Sequence, residues 1–225
     1  MSTLGTINFA LTPKSADCMP EIVYVLINEA MEGLVKIGRT TTSVEQRIKE
    51  LDNTSMPLPF QCFYAAEVGN SSIVEGKLHR IFSDKRVRAN REFFRADANQ
   101  VREAIQLAEL REVTPRSDVV VDAGDVQALQ KAVATEERRT RLRFSELQIP
   151  LGAVLSFTKD SSVTCTVVAD GRVQFEEQVL SPSASALIVV RRMGYQWAAV
   201  SGSDYWEFEG ETLSARRLRL EDEQA

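Results

Sequence analysis

Two apolar runs, "IVYVLI" (22–27) and "LVKIG" (34–38), flank the polar segment "NEAMEG", whose Gly33 suits a turn between two strands. The period then changes. In "SVEQRIKEL", Val44, Ile48 and Leu51 recur at helical spacing behind Ser43, which can cap a helix running to about 53. "NTSMPLP" breaks that helix, and "FQCFYAAEV" (60–68), rich in aromatic and small apolar residues, predicts a third strand. A second helix is expected from Ser71 or Ser72, with Ile73, Val74, Leu78, Ile81 and Phe82 as its buried stripe. "REFFR" reads as a short strand, and "DANQVREAIQLAEL" as a helix capped by Asp97. The order ββα-β-α-β-α predicts a small α+β domain over residues 20–110.

The composition then shifts. "REVTPRSDVVVDAGD" reads as a linker and "VQALQKAVATEERRTRLR" as a helix that can bridge or self-associate, together filling 111–142. From 143 to 225 a second small α+β domain is expected, with strands at 153–158, 163–169 and 172–177. The last two are joined by the hairpin turn Asp170-Gly171. A helix from about Ser183 to Met193 follows, with Ser181 and Ser183 as candidate caps, then a strand near Tyr205–Phe208. Residues 1–19 lack the basic start and apolar block of a secretory signal and read as a poorly ordered leader.

At 225 residues, 44 % apolar and 26 % charged, the chain has the composition of an ordinary globular protein with room for two small domains. No apolar run approaches the roughly 18 residues of a membrane span. Cys18, Cys62 and Cys165 are odd in number and far apart, which argues against a disulfide framework and for a reducing, cytoplasmic setting. With His79 as the one histidine, no Cys/His zinc site can form. A net charge of −5 is mild evidence against nucleic-acid binding, but its distribution matters more. Between Lys77 and Arg95 seven Lys/Arg stand against only Asp84 and Glu92, a basic segment in an acidic chain.

Two polar residues interrupt the first strands. Alternation places Ile22, Tyr24 and Leu26 on one face of the first strand, and Lys36 with Leu34 and Gly38 on one face of the second. If the hairpin pairs Leu26 with Leu34, Tyr24 lies across from Lys36. These are either a tyrosine with a wet tip beside a snorkelling lysine, or members of a site. Arg47 on the first helix, Arg39 after Gly38, and Glu75 with His79 one helical turn apart add candidate chemistry. "NREFF" brings Asn90, Arg91 and Glu92 beside two aromatic rings.

These blocks, Tyr24, "GLVKIGRT", "EQRIKEL", Glu75 with "KLHRIF", and "NREFF", resemble the GIY-YIG nuclease superfamily. The likeness is to the branch named after an open reading frame of phage T-five and described as DNA-binding, over residues 20–108. The resemblance implies phosphodiester hydrolysis in DNA with one divalent cation, Mg²⁺ or Mn²⁺. It implies Glu75 as the metal ligand, Arg47 as the phosphate clamp, Tyr24 beside the attacking water, His79 in proton transfer or phosphate holding, and Asn90 in support. Lys36 stands where many members carry tyrosine. A phenol of pKa about 10 and an ammonium of about 10.4 are both poor bases at neutral pH, so each would need the other's charge or the metal. Arg39, Lys77, Arg80, Arg86, Arg88 and Arg91 are then expected, with Asn90, to meet the nucleic acid.

The C-terminal part resembles the restriction-enzyme adenine-methylase-associated (RAMA) domains in its "PSASA" helix start and in the aromatic tail around "YWEFEG". That resemblance implies a DNA-recognition module. Trp197, Tyr205 and Trp206 are either base-stacking rings or core. Three functions follow for the whole chain: a metal-dependent endonuclease, a DNA-binding protein of the same fold without efficient cleavage, or a protein-interaction module using the helix after 125 as a seam. Paired cuts would favour a homodimer; no membrane partner is expected.

Overall fold

The computed structural model describes residues 19–31, 33–53, 56, 58–117, 124, 126–132 and 143–224. The expected leader falls almost wholly outside these residues. So do Cys18, 118–123 and 125 of the expected 111–125 linker, and 133–142 of the expected bridging helix.

The first half builds a five-stranded antiparallel sheet from β1 (Ile22–Ile27), β2 (Val35–Thr40), β3 (Gln61–Val68), β4 (Phe93–Phe94) and β5 (Glu109–Glu112) in the order β4-β2-β1-β3-β5. Helices α1 (Val44–Leu51), α2 (Ser71–Ile81) and α3 (Ala98–Gln106) lie between the strands in sequence. Ser43 caps α1 by accepting from the Gln46 N–H, and Asp97 caps α3 by accepting from the Asn99 N–H. After a helical segment, α4 (126–132), the second half builds a six-stranded sheet. Its strands are β6 (Val154–Phe157), β7 (Asp160–Ala169), β8 (Arg172–Phe175), β9 (Gln178–Leu180), β10 (Trp206–Phe208) and β11 (Glu211–Thr212), ordered β11-β10-β6-β7-β8-β9. Helices α5 (Pro182–Arg192), α6 (Gly202–Tyr205) and α7 (Leu213–Gln224) complete it. The α+β class is as the patterning predicts. The β7–β8 hairpin turns at Asp170-Gly171, where Gly171 takes the φ of +72° that its lack of a side chain permits. No described helix is long and apolar enough to cross a membrane.

Every residue of β1 is buried because both faces of the sheet are covered. Ile22, Tyr24 and Leu26 face Val44 and Ile48 of α1 in one apolar layer. Val23, Val25, Ile37 and Phe63 face the opposite way and join Leu155, Phe157, Tyr205 and Trp206 in a core that the two halves share. Polar contacts reinforce that junction. The Arg102 guanidinium donates to the Thr158 carbonyl at 2.8 Å, Gln61 to the Ala199 carbonyl at 3.2 Å, and the Tyr195 hydroxyl to Glu112 at 2.9 Å.

Several expectations give way to tertiary contacts. Ile73 (57 % exposed) and Ile81 (62 % exposed) point to solvent, because α2 buries only the narrow side carrying Ser71 and Leu78, with Phe82 at its end. The last helix of the first half stops at Gln106, and 109–112 pair instead with the free edge of β3, so the sheet continues past position 110. Trp197, Tyr205 and Trp206 are buried; Trp206 Nε1 donates to the Pro182 carbonyl, and Tyr205 packs on Phe63 with ring centroids 5.2 Å apart. They are core, and the base-stacking alternative falls.

Asp204 of α6 sits in a small cavity between the halves, holding Ser214 Oγ–H and facing the charge of Asp97. Burial, aided by Asp97, pushes its pKa up to about 6 from 3.8. The folded chain therefore binds the extra proton between those values, and stability from this group falls as pH rises through the window. We expect Asp204→Asn to raise stability above pH 6 by on the order of 1 kcal/mol and to lose that advantage near pH 4. Urea titrations of both proteins at the two pH values check this.

Candidate active site

One cleft, about 370 Å³ in volume, is lined by Tyr24, Arg39, Thr40, Thr41, Thr42, Arg47, Glu50, Glu75 and Glu92. Four elements supply it. β1 brings Tyr24 on the α1 side of the sheet, the end of β2 brings Arg39 and the threonines, α1 brings Arg47 and Glu50, and α2 brings Glu75. The loop before β4 adds Glu92.

The hairpin register decides who meets whom. β1 and β2 pair Leu26 with Lys36 and Tyr24 with Gly38, two residues from the expected alignment. A shift of two keeps every side chain on its face, so Tyr24 and Lys36 share a face but are not partners. The Tyr24 ring lies over Gly38, and a Cβ there would stand 2.6 Å from the phenol oxygen. Glycine is required by that close approach, not by its φ. The phenol oxygen accepts from Arg47 Nε at 3.3 Å, and Arg47 Nη1 also donates to Glu50 at 3.0 Å.

Lys36, 7 % exposed, turns instead to Glu92, with Nζ 2.5 Å from Oε2 and 5.4 Å from the Phe93 ring centroid. The expected Tyr24–Lys36 pair is thus replaced by Tyr24–Arg47 and Lys36–Glu92. Burial raises the Tyr24 pKa, the bond and charge of Arg47 lower it in part, and Glu92 and Glu75 raise it again; the net shift is upward. The phenol stays protonated and keeps a hydrogen to donate into the cleft.

The two central carboxylates differ. Burial and the Glu92 charge raise the pKa of Glu75, against the pull of His79 and Arg39, whose Nε donates to Glu75 Oε2 at 3.2 Å. Burial also raises Glu92, but the Lys36 hydrogen bond and charge outweigh it and hold this carboxyl below the usual range. Both are oxygen donors, flanked by threonine hydroxyls. Among the described residues no cluster of three or more His, Cys, Asp or Glu could hold a metal. Two carboxylates in a polar cleft nevertheless fit a hard cation such as Mg²⁺, which keeps several waters and takes one or two protein carboxylates.

His79 lies outside the cleft lining. Its Nδ1 is 3.3 Å from Arg86 Nη2 and its Nε2 3.0 Å from the Ile37 carbonyl oxygen. Guanidinium only donates, so Nδ1 is the acceptor and Nε2–H donates to Ile37, with both ring nitrogens engaged. Arg86 in turn donates to the Arg91 carbonyl at 2.8 Å and packs on Phe94, 5.2 Å from the ring centroid. His79 and Arg86 brace a turn in which Val87 N–H donates to the Phe93 carbonyl and Arg91 N–H to the Arg88 carbonyl. Lys77, Arg80, Arg88, Asn90 and Arg91 are exposed on α2 and that turn.

Of the residues singled out from the sequence, the structure brings Tyr24, Arg39, Arg47 and Glu75 together in one cleft and leaves Lys36 and His79 outside its lining. Sequence reasoning assigned no role to Glu92, Glu50 or the Thr40–Thr42 run. The one acid inside the basic 85–95 stretch after Asp84 was the available signal for Glu92.

Residues 21–109 match the family model described as the T5orf172 domain, the stretch carrying the blocks from Tyr24 to "NREFF". No curated protein and no solved structure gives a match.

Gly38→Ala drives a methyl into the Tyr24 ring. We expect a stability loss of about 1–3 kcal/mol, the usual range for overpacking a core, and displacement of the phenol from Arg47. Chemical denaturation and the Tyr24 ring resonances in NMR spectra check this.

Proposed function

We propose that the chain binds DNA at this cleft and hydrolyses a phosphodiester bond there, as a metal-dependent endonuclease. The observation that carries the proposal is the convergence of one phenol, two guanidinium groups and three carboxylates on a single polar cleft beside an exposed basic turn. The match of residues 21–109 to a domain family with nuclease-like and DNA-binding character supports it.

Arg47, held by Tyr24 and Glu50, is pre-oriented to accept a phosphate on its remaining donors and to offset charge growing there. Tyr24 donates its hydroxyl hydrogen to a water or a phosphate oxygen. Glu75, with Glu92 across the cleft, would hold the divalent cation, Mg²⁺ or Mn²⁺. When bound, such a cation supplies Lewis-acid polarisation of the phosphate and a lowered pKa for coordinated water. Lys36 keeps Glu92 ionised and in place. His79 acts through Arg86 and the turn it braces, so its part is positioning. Lys77, Arg80, Arg88, Asn90 and Arg91 meet the phosphate backbone, which gives salt-sensitive affinity with little sequence information. The C-terminal half serves recognition in this reading, on the strength of its RAMA-like resemblance.

A second reading, DNA binding without efficient cleavage, is favoured by one observation. Glu75 and Glu92 each already carry a cation of the protein's own.

Incubating supercoiled plasmid with Mg²⁺ or Mn²⁺ separates the two. Under the nuclease reading the wild type nicks or linearises the plasmid, Glu75→Ala does not, and Arg47→Ala is slower by about 10²-fold or more. Retained cleavage in both variants would sink the residue roles. A salt-sensitive mobility shift without cleavage would establish the binding reading. Because the Glu75 carboxyl is held up, a proton competes with the cation to a pH above the range of an ordinary glutamate, so at sub-saturating Mg²⁺ activity should rise with pH there.

A further inference from the structure

Three ion pairs border the cleft among the described residues, and they are not alike. Lys36–Glu92 has a lysine side chain only 8 % exposed, backed by the Phe93 ring. Arg47–Glu50 lies within one helix, and its guanidinium is held at a second point by Tyr24. Arg39–Glu75 is different: one bond, from Nε to Oε2 at 3.2 Å, joins a 42 % exposed arginine to a 17 % exposed glutamate. The carboxylate is the more buried partner, and the guanidinium is the more exposed one.

We propose that Arg39 is a counterion switch: it neutralises Glu75 in the absence of nucleic acid and moves to a phosphate when the backbone enters, freeing Glu75 for the divalent cation. The proposal rests on the nucleic-acid reading of the cleft and adds an order of events to it. Exposed pairs of this kind hold by a factor of about five at most, so the exchange is cheap. A phosphate offers the guanidinium a bidentate partner where Glu75 gives it one bond. Arg39 lines the same cleft as Thr40, Thr41 and Thr42, whose hydroxyls suit a phosphate.

Charge balance sets the coupling. With Arg39 in place, Glu75 and Glu92 are each ion-paired with one side chain of β2. Once Arg39 leaves, Glu75 stands across from Glu92 without its ion-pair partner, and a new cation relieves the repulsion between the two carboxylates. Metal is therefore taken up when the phosphate it serves is present. By linkage, metal strengthens nucleic-acid binding by the same factor.

The test uses the full chain as wild type, Arg39→Ala, Arg39→Gln and Glu75→Gln. Free Mn²⁺ is titrated by electron paramagnetic resonance without DNA, and a short DNA duplex is titrated separately in EDTA over a salt series. The switch predicts that both Arg39 variants bind Mn²⁺ more tightly than wild type, by up to about fivefold, and that Glu75→Gln loses the site. It also predicts that the salt slope for duplex binding falls by about one in the Arg39 variants. Equal or weaker Mn²⁺ binding in both Arg39 variants would overturn the switch while leaving the metal site standing. An unchanged salt slope would overturn it from the other side. No Mn²⁺ binding to wild type or to the Arg39 variants would overturn the metal reading of the cleft, and the switch with it.

Discussion

β1 is covered on both faces, and this double burial organises the molecule. Alternation along "IVYVLI" sends Val23, Val25 and Ile27 into the core shared with the second half and Ile22, Tyr24 and Leu26 toward α1. A slip of one residue would exchange the two sets, placing the Tyr24 phenol in the apolar junction and a valine in the cleft. The register is therefore held by hydrophobic burial on one side and by the close fit of the Tyr24 ring over Gly38 on the other. Arg47, reaching the phenol from α1, extends that constraint to the helix.

The cleft built on this frame is a set of charges arranged in pairs. Two carboxylates close enough to perturb each other sit in one polar cleft, and each is answered by a cation from β2. Their environments nevertheless drive them apart: Lys36 holds Glu92 ionised, while burial and Glu92 make Glu75 the more readily protonated. Such divergence is how a fold assigns different tasks to chemically identical groups. The buried pair is a fixture and the exposed pair is exchangeable, because screening by water weakens the second far more than the first.

The second half does more than hang from a linker. Its aromatic residues are spent on the junction, where Phe63, Tyr195 and Trp197 surround the Lys159 ammonium at 4.6–5.6 Å from their ring centroids. Burial pushes that lysine's pKa down to about 8, against the pull of Glu112. Arg102 spans from α3 to Thr158, although its Nε, the Thr158 hydroxyl and the Asn99 Oδ1 are buried with no hydrogen-bond partner among the described residues. The second half packs on the face of the first sheet opposite to Tyr24 and α1.

What the chain determines by itself is local. Periodicity and capping residues place α1, α2, α3 and α5 to within a few positions, and alternation puts Tyr24 and Lys36 on one face, because these rules act over a few residues. Of the candidate site residues, Tyr24, Arg39, Arg47 and Glu75 line one cleft, while Lys36 and His79 lie outside its lining. The tertiary structure decided the rest. It made β5 from residues that continue a helical pattern, because the edge of β3 offered backbone hydrogen bonds that a solvated helix end could not match. It turned Ile73 and Ile81 outward and buried Trp197, Tyr205 and Trp206, since the width of a contact face depends on the partner laid against it. It also chose the pairs, giving Tyr24 to Arg47 and Lys36 to Glu92 through a two-residue change in register. Hydrophobic alternation has a period of two, so it sees no difference between alignments two residues apart; only the fit of a ring over Gly38 does.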